Sequence, residues 1–282
     1  MLGSAVVVFR ETLEAALIIA IVLGASRGVA GRGRWVGGGI ALGVAGAVLV
    51  AFFAGAIAGA MQGRGQELLN AGVLLAAVAM LAWHNIWMSA HAKAHVQEMN
   101  ALGHDVREGV RPLSAMLAVT ALAVLREGAE TVLFLYGLWA GGGSRGDLTL
   151  GALVGLAGGA AIGAALYFGL LRIPLRHFFS VTGVVILLLA SGLAAGVAGF
   201  LTQAGLLPSL VDSLWDSSGL ISMDSVAGRI LHVLVGYQEQ PSGLQLLFFL
   251  VTLIGIGTMM RVTRKRSRAP AASAHLSRTS TG

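Results

Sequence analysis

Cysteine is absent from the 282-residue chain. That absence excludes disulfides, thiolate metal sites, iron–sulfur clusters and cysteine nucleophiles. Charge is scarce, at 11% of residues, where a soluble domain carries about 25%. So few charges cannot clothe a globular surface. With 56% hydrophobic residues and a mean hydropathy of +0.82, the solvent is a bilayer, and a soluble enzyme is excluded. Lysine occurs only at Lys93 and Lys265, so nearly all basic charge is arginine. Proline occurs five times, and four of these (Pro112, Pro174, Pro208, Pro241) fall between or at the edges of apolar runs, the punctuation expected of helices. The patterns HExxH, GxSxG and the phosphate-binding loop are missing, so intramembrane proteolysis has no candidate residues. No enzymatic activity and no organic cofactor are expected. Glycine, by contrast, is abundant at 41 residues without a collagen period, as in packed transmembrane helices.

Seven segments are long and apolar enough to span a bilayer: roughly 4–26, 36–60, 68–90, 113–139, 148–171, 178–203 and 243–261. The first run has no basic flank before it, and charge begins inside it at Arg10, so it reads as a retained span rather than a cleaved signal. Of the basic residues outside the spans, only Arg64, Arg145 and Arg229 lie in the even-numbered connections; the rest lie in the odd-numbered ones and the tail. By the positive-inside rule the N-terminus is outside and the C-terminus inside. The expectation is an all-α polytopic membrane protein of the inner (plasma) membrane, with one permease domain over 1–262. Residues 263–282 form a basic cytoplasmic tail, expected to be disordered. The net charge of +6 follows this loop placement and needs no nucleic-acid partner.

The chain also repeats itself. FRETLEAAL at 9–17 and LREGAETVL at 125–133 share Arg, Glu, Glu and Leu at an offset of 116. The same offset carries spans two and three onto spans five and six. Repeat one (about 4–90) and repeat two (about 113–203) therefore hold three helices each, and a seventh helix follows at 243–261. An odd number of helices per repeat inverts the second against the first, a transporter architecture with its site near the midplane. In each motif the two glutamates, at i and i+3, share a helix face, and the arginine lies at i,i+4 to the second glutamate.

Burying such charges is costly. Each costs on the order of 2.5–3.5 kcal/mol at mid-helix, so six uncompensated would cost roughly 15–20 kcal/mol. Arg10, Glu11, Glu14, Arg126, Glu127 and Glu130 must therefore face inward and pair. Two arginines against four glutamates leave a formal charge of −2, which suits a cation. Carboxylate oxygens favour hard cations such as Fe³⁺, Ca²⁺, Mg²⁺ or Mn²⁺. Zn²⁺ is disfavoured by the lack of histidine nearby in sequence. Two other readings stand beside this one: ion pairs that merely pin the two helices, and a proton relay without metal.

These residues resemble the high-affinity iron permeases, the fungal ferric iron permease and the bacterial EfeU-type iron transporters. The resemblance rests on RETLE at 10–14, REGAE at 126–130, LREGAETVLFLYGL at 125–138 and the late segment at 214–245. It covers the chain up to about residue 262. It implies iron as the transported substrate, Glu11, Glu14, Glu127 and Glu130 as its ligands, and Arg10 and Arg126 as charge-balancing partners. It further implies periplasmic iron-binding or oxidising partner proteins. Carriage of another hard cation such as manganese or lead, or a non-transporting anchor for periplasmic oxidases, are the alternatives. A homo-oligomer is compatible with the sequence.

Other residues are secondary candidates. His91 and His95 lie at i,i+4 near the inner end of span three, with His84 seven residues earlier, and suggest an exit-side metal site or solvated interface residues. Asp212 and Asp216 belong to the outer connection 204–242, read either as a cation-attracting mouth or as a cap packed over the bundle. Within it LPSLVDSLWD has helical apolar spacing, expected to lie along the membrane surface. Gly151, Gly155, Gly159 and Gly163 form a stripe expected to serve close helix packing.

Overall fold

A computed structural model describes residues 1–60, 66–169, 175–223 and 225–266. Among these residues there are eight helices and no strand: α1 Leu2–Ala25, α2 Arg32–Ala60, α3 Gln66–Arg107, α4 Ser114–Ala140, α5 Arg145–Tyr167, α6 Leu175–Gln203, α7 Val226–Val235 and α8 Gly243–Arg266. Parts of α2, α3, α5, α6 and α8 are long and apolar enough to cross a membrane. At 24 and 27 residues, α1 and α4 are also long enough. What separates them from the other five is three charged residues each, those of the two motifs.

The bundle is inside out relative to a soluble protein. Leu42, Phe53, Leu153 and Val251 are exposed, and Phe52 is 68% exposed, while the motif arginine Arg10 is 2% exposed. An apolar exterior around a charged interior is stable only where the surroundings are hydrocarbon, so the chain is a multi-pass membrane protein.

Pairing within the bundle exchanges partners between the two halves. α1 packs chiefly on α5, α2 on α4, and α3 on α6, with α8 against α6. The first two contacts run along small residues. A side chain at Gly155 would meet Ala5 O and Phe9 N of α1, and one at Gly159 would meet Phe9 O and Thr12. In α2, a side chain at Gly39 would meet Leu117 O and Thr120 of α4, and one at Gly43 would meet Val124 and Ala121 O. Gly39 and Gly43 sit 116 residues before Gly155 and Gly159. The glycine stripe of α5 thus lies against α1, and α2 carries its counterpart against α4. Between α3 and α6, Asn85 donates to Gly183 O at 2.9 Å, the interhelical bond expected of an asparagine in a span. Thr120 of α4 is buried, and its hydroxyl has no hydrogen-bond partner.

Three boundaries depart from the sequence reading. Helix α3 does not end near residue 90 but continues to Arg107, 42 residues in all and about 63 Å long. The added turns hold because Met99, Leu102 and Val106 recur at helical spacing and are buried against Ile18, Val22, Val36 and Met116. In the connection 204–242, residues 207–216 are not the helix that their apolar spacing predicts. The Ser209 hydroxyl donates to Asp212 at 2.5 Å, and the Ser218 N–H and hydroxyl donate to Asp216 at 2.9 and 2.6 Å. Such local side-chain bonds compete with the helix. The helix falls later, at α7, opened by Ser225 capping Gly228 N at 2.9 Å and closed by Gly236 at φ 68°. Gly236 packs on Gly192 of α6, which seats this end of the connection on the bundle. Finally, α8 reaches Arg266, so the expected tail begins a few residues later; 267–282 lie outside the described residues.

Candidate metal-binding site

The two motifs face each other because α1, α3 and α4 converge. On α1, Arg10 Nε donates to Glu14 Oε1 at 2.8 Å. Arg10 Nη1 lies 3.9 Å from Glu11 Oε1, too long for a hydrogen bond. On α4, Arg126 Nε donates to Glu130 Oε1 at 3.0 Å and lies 3.8 Å from Glu127 Oε1. In each motif the arginine takes the second glutamate at i,i+4, and the first glutamate is left over. Both carboxylate oxygens of Glu11 and Oε2 of Glu127 are buried without a hydrogen-bond partner.

The halves differ in one respect. The Arg10 side chain is 3% exposed, whereas that of Arg126 is 38% exposed. Arg126 also stacks over Trp87 of α3, with its guanidinium carbon 5.0 Å from the ring centroid.

Between the motifs stands a residue that the sequence reading assigned elsewhere. His84 of α3 is 1% exposed. Its Nε2 lies 3.4 Å from Glu14 Oε2, and its Nδ1 contacts Glu130 Oε2. Ligand atoms of Glu11, His84, Glu127 and Glu130 all fall within 4.8 Å of one another. Glu14 touches His84 but is not one of that four. The expected set was purely carboxylate; the observed one contains an imidazole, which removes the sequence argument against borderline metals. The signal was present in the sequence. His84 is the one histidine well inside an apolar span, where an ionisable side chain is a functional candidate by default.

The secondary candidates do not join this cluster. His91 is exposed, its ring stacked on Trp87 at 5.2 Å and its Nδ1 3.1 Å from Trp87 O. The side chain of His95 lies outside the described residues. Asp212 and Asp216 are exposed and occupied by loop hydrogen bonds, the latter also accepting from Gln240 Nε2 at 2.8 Å. The Ser218 hydroxyl and N–H and the Gln240 amide hold the Asp216 carboxyl below the usual aspartate range. Tyr237 donates to Ile221 O at 2.8 Å and meets the Ser217 hydroxyl at 2.6 Å, tying this connection together.

A polytopic bundle with acidic, metal-competent groups sealed in its interior has the construction of a membrane transport protein. Comparison with known proteins gives the family. The residue pattern of the Iron permease FTR1 family matches residues 1–264, and the chain belongs to that family. It is 32% identical over 259 residues to the ferrous iron permease EfeU of Escherichia coli O157:H7, covering 88% of this chain and 91% of that one. It is 30% identical over 254 residues to the ferrous iron permease EfeU of Yersinia pestis, covering 88% and 89%. No solved structure matches this chain.

Proposed function

We propose that the chain imports iron across the bacterial inner membrane, through a site formed by the glutamates of its two motifs. The observation that carries the reading is the buried cluster itself. Four glutamates, two arginines and one histidine gather in the interior of a largely apolar bundle, and neither carboxylate oxygen of Glu11 makes a hydrogen bond of good geometry. With a neutral imidazole the cluster has a formal charge of −2. A buried carboxylate whose countercharge is a shared arginine nearly 4 Å away is expensive to keep unless a cation visits it. Pins between helices do not require Glu11 and Glu127, because each arginine is already hydrogen-bonded to the second glutamate of its motif. Membership of the iron permease family, and relatives that are ferrous iron permeases, support iron as the cargo.

The route is two inverted three-helix repeats, α1–α3 and α4–α6, with α8 as a seventh span, the N-terminus outside and the C-terminus inside. The exchanged pairings of α1 with α5 and of α2 with α4 support this, because they are one contact seen twice under the 116-residue offset. In this arrangement the motifs meet at similar depth, with Arg10 on the outer side of the cluster and Arg126 on the inner. The greater exposure of Arg126 then corresponds to a site sealed from outside and partly open inward. Periplasmic iron-binding or oxidising proteins supply the outer face, where the connection 204–242 lies.

The test is radioiron uptake in an iron-uptake-deficient bacterium, comparing wild type with Glu→Ala changes at Glu11, Glu14, Glu127 and Glu130 at matched membrane levels. Loss of uptake in each inserted variant is the expected result. Normal uptake by the variants overturns the reading.

A further inference from the structure

We propose that His84 supplies a nitrogen ligand to the transported ion and sets the site's preference for ferrous iron over harder cations. The inference rests on the reading that the cluster is the iron site, and deepens it by naming the valence and the discriminating residue.

Three observations carry it. First, His84 is 1% exposed and stands between the two motifs, with a carboxylate oxygen facing each ring nitrogen. An imidazole buried among carboxylates that themselves converge is placed to share a cation with them. Second, the two ring nitrogens meet different groups. Nε2 lies 3.4 Å from Glu14, whose other oxygen is held by Arg10 at 2.8 Å. Nδ1 faces Glu130, one of the four groups whose ligand atoms converge. This is the arrangement in which a carboxylate fixes one side of a histidine while its other nitrogen binds metal. Glu14 is thereby a positioning residue, and Nδ1 joins Glu11, Glu127 and Glu130 as a ligand.

Third, the spacing fits. Metal–ligand bonds of about 2.1 Å put opposite ligands about 4.2 Å apart. The four groups lie within 4.8 Å of one another, so rotamer-scale closure suffices. Three carboxylates alone suit hard ions such as Ca²⁺, Mg²⁺ and Mn²⁺, whereas an added imidazole strengthens Fe²⁺ relative to them.

The experiment loads purified full-length protein with Fe²⁺ under anaerobic conditions, for wild type, Glu127→Gln and His84→Gln. Bound iron is counted, and X-ray absorption reads the outer-shell scattering that an imidazole ligand produces. Wild type should bind iron with that signature. Glu127→Gln should bind at least tenfold less tightly, and His84→Gln should retain weaker binding with the signature gone. If Glu127→Gln weakens binding but wild type and His84→Gln spectra are identical, the His84 assignment is overturned and the carboxylate site stands. If Glu127→Gln binds as wild type does, or wild type binds no iron, the site reading fails and this inference with it. A second readout is selectivity of transport. His84→Glu should lower the Fe²⁺ to Mn²⁺ uptake ratio at least tenfold, and an unchanged ratio contradicts the proposal.

Discussion

Removing Arg10 should cost more stability than removing Arg126, although the two occupy equivalent positions in their motifs. In Arg10→Gln, Glu14 loses its 2.8 Å partner and Glu11 loses the cation 3.9 Å away, both in a setting where Arg10 was 3% exposed. Deleting one member of a buried pair typically costs about 3–5 kcal/mol, because a buried charge is left uncompensated. That is roughly a hundredfold to a few thousandfold in the folding equilibrium. Arg126 also has a 3.0 Å bond, but its side chain is 38% exposed. Removing it also strands Glu127 and Glu130, which are 6% and 12% exposed, but solvent reaching the Arg126 position screens that loss. Arg10→Gln should therefore cost at least about 1 kcal/mol more than Arg126→Gln. Adding Glu14→Gln to Arg10→Gln removes one stranded carboxylate and should recover part of the loss. The assay is equilibrium unfolding in mixed micelles with rising dodecyl sulfate, followed by tryptophan fluorescence. Equal midpoints for Arg10→Gln and Arg126→Gln, or no recovery in the double variant, would refute the reasoning.

Further predictions follow from particular contacts. The chain has no cysteine, so single cysteines can be placed without background. Arg126→Cys should react with a small water-soluble thiol reagent and Arg10→Cys should not; equal reactivity contradicts the one-sided opening. Cysteines at Gly142 and Gly109 report orientation. An impermeant maleimide added to intact spheroplasts should label the first and spare the second, and the opposite pattern inverts the topology. Gly155→Ala and Gly39→Ala should each destabilise by about 1–3 kcal/mol, since the new Cβ meets backbone of the facing helix. Gly72→Ala, with nothing within 4 Å, should be neutral or mildly stabilising. In the connection 204–242, the depressed Asp216 carboxyl contributes order above its ordinary value of 3.8 and loses it only as pH falls below that value. Hydrogen exchange of the Ser218 amide should therefore show constant protection from neutral pH to about 4; loss of protection already near pH 5 contradicts this.

The motifs were legible because their chemistry is local. Arginine and glutamate at i, i+1 and i+4 in an apolar run state both their burial and their pairing, and the 116-residue offset points to a second copy. The glycine stripe was legible for the same reason, as a four-residue period on one face. His84 was not assigned because its partners come from two other helices, α1 and α4. Along α3 it shares a face with His91 and His95, which favoured grouping the three. Packing separates them: His84 is turned into the cluster, while His91 stacks on Trp87 outside it. The length of α3 was missed because its last turns are polar by composition. They are helical through tertiary burial of Met99, Leu102 and Val106, which hydropathy does not register. At 207–216, helical apolar spacing lost to serine and aspartate turns, a competition decided by side-chain hydrogen bonds rather than by period.

The most direct measurement of the central claim is radioiron flux into liposomes that contain only the purified chain. Wild type and the paired variant Glu11→Gln/Glu127→Gln would be reconstituted at equal density, with Fe²⁺ kept reduced outside. The account predicts time-dependent, saturable iron entry for wild type and none above empty liposomes for the variant. Equal flux through both proteins would contradict it, because iron would then cross without the two buried glutamates that the motif arginines do not hydrogen-bond.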